Sequence, residues 1–378
     1  LKINNSIFAV SAVLAVSMSS SANSKVSFGN DIVPPSSQSI RDYNFANDII
    51  GQTSTGTVIS GGNPIYVAPK PAYSGVVGLL MNYGAAGSFV CSGSLIKSDA
   101  ILTAAHCVFG PGNIKPVSMT AFFYGGSDDP TVYTSPAATQ IAVSAIISHP
   151  LYTNEVVDEN DIAVVRLASA APAFAPIYAL SDVSDLTGVD HIIAGYGLRS
   201  ISGGTLGTLD EAVAGTGRLR YAGNRFDFRF GDPDWADYWT SGGYDHWSNV
   251  WISDFDNGTG LRDGSCNLAA GEGFTSPVFT SDKYCNTGIG AFEGIGAGGD
   301  SGSPYFVDGK IAAVHSFAFS LAADETANRF GQLKGSVSTA FHRDFILANV
   351  PEPGTWAMLV IGFGFVGTMA RRQARATA

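Results

Sequence analysis

The chain has 378 residues, enough for two or three domains with sizeable apolar cores, and only 14% of it is charged. Its formal charge of −11 excludes a basic, phosphate-seeking surface, so no nucleic-acid partner is expected. Four cysteines without a C-x-x-C pair and six scattered histidines offer no metal-ligand spacing; disulfides are expected, and no cofactor or metal.

In chain order, Lys2 precedes the apolar run Ile7 to Val16 and small residues ending at Ala22. Residues 1–22 therefore have the form of a secretory signal peptide, too short to span a membrane. Residues 23–62, rich in Ser, Asn, Asp and Gly without a helical period, form a propeptide or N-terminal arm. From Gly75 onward come short apolar runs broken by turn residues: Val76–Leu80, Phe89–Cys91, Ala100–Leu102, Ala121–Tyr124 and Ile141–Ile147. Runs of this length and spacing predict an all-β barrel or sandwich.

Three strings carry chemistry. Leu102-Thr103-Ala104-Ala105-His106-Cys107 supplies a base. Asn160-Asp161 abuts the apolar run Ile162–Leu167, which would bury the Asp161 carboxylate; Asp158 and Glu159 are expected to be solvated loop charges. Gly298-Gly299-Asp300-Ser301-Gly302-Ser303-Pro304 sets a serine among glycines. A serine hydroxyl is a poor nucleophile unless a base takes its proton, and the glycines let the backbone aim two amide N–H groups at a developing oxyanion. The order along the chain is base, carboxylate, nucleophile.

On these motifs, from about Gly75 to about Val350, the chain resembles the trypsin/chymotrypsin family of serine proteases. The resemblance implies an all-β fold of two Greek-key six-stranded β-barrels with a C-terminal helix at Thr339–Val350. It implies a first barrel at 63–180 carrying His106 and Asp161, and a second at 181–350 carrying Ser301, with an insertion at about 198–265. The linker falls near Ala179–Gly188, and Ala194-Gly195-Tyr196-Gly197 resembles the turn that opens the second barrel. His106, Asp161 and Ser301 form the triad by this resemblance, and the amides of Gly299 and Ser301 the oxyanion hole. His149 is then structural, and the disulfides are Cys91–Cys107 and Cys266–Cys285. Ile295, Ser316, Phe317 and Ala318 are the implied substrate-binding residues, Ser316 also supporting Asp161. With Ile295 at the base of the primary specificity pocket and Ala318 on its wall, small or medium aliphatic side chains are favoured, unless a shifted loop brings the Glu293 carboxylate into the pocket. In this family a freed amino terminus pairs with the aspartate before the nucleophile, here Asp300. Val58-Ile59-Ser60-Gly61-Gly62 and Ile49-Ile50-Gly51 are the candidates, neither preceded by Lys or Arg.

The stretch 198–265 holds acidic and aromatic residues, among them Phe226-Asp227-Phe228, Trp235, Trp239, Trp247 and Asp254-Phe255-Asp256-Asn257-Gly258. Such segments bind calcium or line an exosite, but the D-x-D-x-G fragment lacks the rest of an EF-hand loop, so a packed surface loop is expected. Finally, Val350-Pro351-Glu352-Pro353-Gly354 precedes the apolar run Thr355–Ala370 and Arg371-Arg372. This resembles the PEP-CTERM sorting signal of Gram-negative bacteria. Residues 351–373 would form a transient membrane anchor for a sorting machinery, with the arginines on the cytoplasmic side.

The function implied is a secreted, monomeric serine endopeptidase acting on proteins or peptides at the cell surface or in the extracellular matrix. The alternatives are a catalytically silent surface adhesin or matrix protein, and an α/β-hydrolase esterase. Against the esterase stand Gly-x-Ser-x-Ser in place of Gly-x-Ser-x-Gly and a different triad order.

Overall fold

Short apolar runs cut by turn residues become strands when each can bury one face against another sheet. The computed structural model describes residues 49–56, 62–109, 114–155, 157–205, 215–235, 247–270, 283–319 and 329–350. The expected signal peptide at 1–22, most of the arm at 23–62, Trp239 and the tail from 351 lie outside these residues. Among the described residues no helix is long and apolar enough to cross a membrane.

The first barrel is built from β2 (Val76–Asn82), β3 (Ser88–Lys97), β4 (Ala100–Thr103), β5 (Ser118–Phe123), β6 (Thr139–Ser148) and β7 (Ala163–Leu167), after a short β1 (Ile50–Gly51). These six strands close in the order β2-β3-β4-β7-β6-β5, which leaves no free edge. Each of the five apolar runs falls on a strand, Tyr124 alone lying just past the end of β5. Val77, Leu79, Ile101, Phe122 and Val164 belong to one buried core cluster, each at most 1% exposed.

The second unit comprises β8 (Asp190–Gly195), β9 (Arg220–Arg225), β10 (Phe228–Arg229), β11 (Val250–Asp254), β13 (Pro304–Val307), β14 (Lys310–Phe319) and β15 (Leu333–Ser338). They make a seven-stranded sheet, order β10-β11-β15-β14-β13-β8-β9, a half-barrel rather than a second closed six-stranded barrel. The seam between β9 and β11 lacks a backbone ladder because β12 (Gly294–Ile295), paired with β1, reaches into it. The side chain of Asn224 spans the gap, its Nδ2 donating to Asp254 O (2.6 Å) and Gly294 O (3.0 Å).

The stretch 198–265 is not an appended surface insertion, since it supplies β9, β10 and β11. Its aromatic residues explain why: Phe226, Phe228, Trp235 and Trp251 are at most 1% exposed, with Phe228 stacked on Trp235 at 4.5 Å. Nor is Asp254–Gly258 a surface loop at its acidic positions, since Asp254 and Asp256 are each 1% exposed. Two α-helices complete the described fold, α1 (Gly264–Ala270) and α2 (Arg343–Ala348). The second is shorter than the expected Thr339–Val350 because Thr339 is tied to the sheet. Its N–H donates to Ala312 O (3.0 Å) and its Oγ1 to Ile311 O (2.7 Å).

Candidate active site

His106 sits in a short 3-10 turn directly after β4, and the Cys91–Cys107 disulfide ties that turn to β3. Closing this loop contributes about 3 kcal/mol by chain-entropy reasoning and holds the imidazole in place. Asp161, just before β7, is 2% exposed. Its Oδ1 accepts the His106 amide (2.8 Å) and its Oδ2 accepts His106 Nδ1–H (2.7 Å). Ser316 on β14 donates its hydroxyl to the same Oδ2. Burial alone would raise the Asp161 carboxyl, yet the charge of His106 and these hydrogen bonds hold it below the usual range. An ionised carboxylate only accepts, so Nδ1 must carry a proton and Nε2 is left as the basic nitrogen.

Ser301 lies on a loop that depends on glycine. Gly302 has φ +81°, and a Cβ there would lie 2.1 Å from Thr103 Oγ1 and 2.4 Å from Ser92 O. The loop thus presses directly on β3 and β4, a few residues from His106. Ser92 anchors it: its N–H donates to Ser301 O (2.8 Å), and its hydroxyl donates to Gly299 O (2.9 Å) while accepting Tyr196 N–H (2.9 Å). Sequence reading gave Ser92 no role, and its position beside Cys91 was the one available signal. Within the loop, the amides of Asp300, Gly302 and Ser303 are engaged by Ala297 O, His315 O and Asp300 O. Those of Gly299 and Ser301 have no acceptor among the described residues.

Asp300 is fully buried, its oxygens accepting from Gly197 N (3.0 Å) and Ala297 N (3.3 Å). The glycines around Tyr196 have a steric reason: a Cβ on Gly195 would meet Asp300 Oδ1 at 2.1 Å. Burial pushes the Asp300 carboxyl up to about 7, against the pull of those amides and of Lys334. Lys334, 2% exposed, is in turn lowered to about 7 by burial, with Asp300 opposing the shift.

The other expected site residues divide. Ile295, on β12, is 2% exposed and packs with Ile50, Phe255 and Ala297. Ala318 pairs across β14–β15 with Lys334, a neighbour that sequence spacing could not supply because a bulge between His315 and Phe317 sets the register. Phe317 turns into a core cluster with Phe228, Trp247 and Leu333. Glu293 is fully buried, its carboxylate accepting Asp256 N–H (2.6 Å) and Ile289 N–H (2.7 Å), so it is committed elsewhere. Asp158 is not a solvated charge. It is fully buried and accepts Thr153 N–H (2.6 Å), Thr153 O–H (2.7 Å) and Asn160 N–H (2.7 Å), shaping the loop that leads to Asp161. Glu159 is likewise engaged, accepting from Asn249 N (2.9 Å) and Nδ2 (2.8 Å). His149 packs edge-on against His342 and Phe345 at 4.8 Å each. Cys266 and Cys285 are bonded as expected. Of the two candidate termini, Ile49 is fully buried and Ile50 pairs with Ile295, whereas Val58–Gly61 lies outside the described residues.

Residues 67–222 match the Trypsin family model, and residues 349–375 match the PEP-CTERM protein-sorting motif. The chain is 25% identical over 337 residues to serine protease SP24D of Anopheles gambiae, covering 87% of this chain and 93% of that protein. It is 34% identical over 116 residues to the urokinase-type plasminogen activator of Gallus gallus, covering 30% of this chain and 25% of that protein. It is 38% identical over 80 residues to achelase-1 of Lonomia achelous, covering 21% and 33% respectively. Among solved structures, one described as HL collagenase matches with TM-score 0.48 and 18% identity, covering 75% of this chain and 96% of that chain.

Proposed function

We infer, for a chain that carries a trypsin-family serine endopeptidase domain and a PEP-CTERM sorting motif, that peptide hydrolysis runs through His106, Asp161 and Ser301. The observation that carries this reading is the buried Asp161 carboxylate holding His106 Nδ1–H, with Nε2 left to act. Ser301 Oγ attacks the substrate carbonyl as Nε2 takes its proton, and the amides of Gly299 and Ser301 receive the oxyanion. Nε2 then protonates the leaving amine, and water, deprotonated by the same nitrogen, releases the acyl group. Asp161 stabilises the imidazolium throughout. These roles follow the triad as it is understood for this family.

The PEP-CTERM motif implies export in a Gram-negative bacterium. We place the mature enzyme at the cell surface or in the matrix, after removal of a signal peptide at 1–22 and of the tail from 351. A monomer suffices, because the whole triad comes from one chain. Activation would free Ile49 by cleavage after Asp48, a segment whose next residue, Ile50, already pairs with Ile295.

Ile295 and Ala318 favour small or medium aliphatic side chains before the cleaved bond. Burying a substrate cation there without a partner would cost several kcal/mol, on the order of other unpaired buried charges. A second reading is favoured by one observation. Directly opposed residues in an antiparallel pair share a face, so Lys334 lies on the same face as Ala318 and would attract an acidic side chain. A panel of peptides differing only at that position separates the two. Ala, Val and Leu are expected to exceed Arg and Lys by at least about tenfold in kcat/KM, on the order of one lost charge partner. Glu outperforming Leu would select the second reading; Arg or Lys performing best would overturn both.

A further inference from the structure

Around Phe255, which packs on Ile295, the second unit buries acidic residues that the proposed triad does not use. Asp254 at the end of β11, Asp256 just beyond it and Asp263 before α1 are each at most 2% exposed, and one carboxylate oxygen from each lies within 4.8 Å of the others. We propose that Asp254, Asp256 and Asp263 form a binding site for one divalent cation, of the calcium class.

The donor geometry carries the assignment. Calcium takes oxygen ligands at roughly 2.3–2.6 Å, so oxygens on opposite sides of one ion lie about 4.6–5.2 Å apart. Neither oxygen of Asp256 has a hydrogen-bond partner among the described residues. Leaving a fully buried carboxylate unsatisfied is costly, and a cation is the partner that two free oxygens fit. Asp254 commits Oδ2 to Ser265 N–H (2.7 Å) and Asp263 commits Oδ1 to Cys266 N–H (2.7 Å), contacts that hold both carboxylates in place beside Asp256.

Two further buried carboxylates border the site and are already saturated. Asp227 accepts from Asn286 Nδ2 (2.7 Å), Asp254 N (2.9 Å) and Ser265 Oγ (3.0 Å), and Glu293 accepts the amides of Asp256 and Ile289. They hold the ligand segments in place. Burial first, and neighbouring carboxylates with it, hold the Asp254, Asp256 and Asp263 carboxyls above their usual range, as expected of like charges gathered around a cation position. Cys266 and Cys285 stand beside the group, but their disulfide removes the thiolates that zinc would use. An all-oxygen, irregular donor set suits calcium better than magnesium, which demands near-ideal octahedral geometry.

The site adjoins Ile295, the residue proposed for specificity. Phe255, between two of the ligands, packs with Ile295 and Ala297, and the amide of Asp256 is held by Glu293, two residues before Ile295. Any effect of the ion on hydrolysis rests on the reading of Ser301 as nucleophile, whereas binding of the ion does not.

The test uses the full chain after chelator treatment and dialysis, titrated with calcium chloride by calorimetry and by thermal unfolding. One ion per chain is expected, with Tm raised by about 5 °C or more at saturation. Magnesium chloride at the same concentration is expected to give less than half that rise. Asp256→Asn removes the charge without changing the shape, so it is expected to fold, to be more stable than wild type without calcium, and to bind calcium at least tenfold more weakly. Asp190→Asn, at an exposed carboxylate, should leave binding unchanged. Absence of calcium binding by the wild-type chain would overturn the proposal, as would wild-type affinity in Asp256→Asn. An equal magnesium response would overturn the calcium assignment. Should Asp256→Asn fail to fold, Asp263→Asn and the wild-type titration decide the same question. If calcium binds but no peptide is cleaved, the site stands and the triad reading fails.

Discussion

Ser301→Ala is expected to lower kcat for peptide hydrolysis by about a million-fold, the scale seen when a serine protease loses its nucleophile. What survives should be the slow hydrolysis supported by the oxyanion amides and substrate binding. The variant should fold, because the loop is held by main-chain bonds: Ser92 N–H to Ser301 O and Gly302 N–H to His315 O do not involve the Ser301 hydroxyl. Steady-state kinetics with a Tm control checks this. Activity within tenfold of wild type, with the fold intact, would remove Ser301 from the mechanism.

Asp161→Asn is expected to cost about four orders of magnitude in kcat, the loss known for an Asp-to-Asn change in a Ser-His-Asp triad. The physical reason is visible in the contacts. Asp161 accepts three donors at once, His106 N–H, His106 Nδ1–H and the Ser316 hydroxyl. Asparagine has one accepting oxygen and an NH2 group, so one donor must face another donor. Turning the amide toward Nδ1 strips that nitrogen of its proton and moves it to Nε2, which then cannot act as a base. Pre-steady-state acylation measures this directly, and acylation at the wild-type rate would contradict the role given to Asp161.

The parts of this protein that sequence reading found are those written in local runs. The strands of the first barrel follow from apolar segments such as Val76–Leu80 and Ala100–Leu102, each bounded by turn residues. The strings around His106 and Ser301 are equally local, one following a strand end and the other set among glycines. What stayed hidden depends on register and on burial. The two-residue strand β10 is too short to show a period, and 198–265 resembled an insertion although it supplies three strands of the sheet. Asp158, Asp254 and Asp256 are carboxylates, which water ordinarily keeps, and nothing nearby in the chain announces that each is at most 1% exposed. Lys334 faces Ala318 through a bulged pairing that no spacing rule reaches. Ser92 carries its role entirely through contacts to residues about a hundred or more positions away.

Labelling with a fluorophosphonate tests the central claim most directly, because the probe transfers its phosphonyl group to an activated serine oxygen with loss of fluoride. The purified protein would be treated with the probe, digested and mapped by mass spectrometry, beside Ser301→Ala. The account predicts about one phosphonyl group per chain, carried on Ser301, and none on the variant. A wild-type chain that stays unlabelled, or is labelled at another serine to the same extent in both proteins, would contradict it and leave a silent, protease-like binding protein in its place.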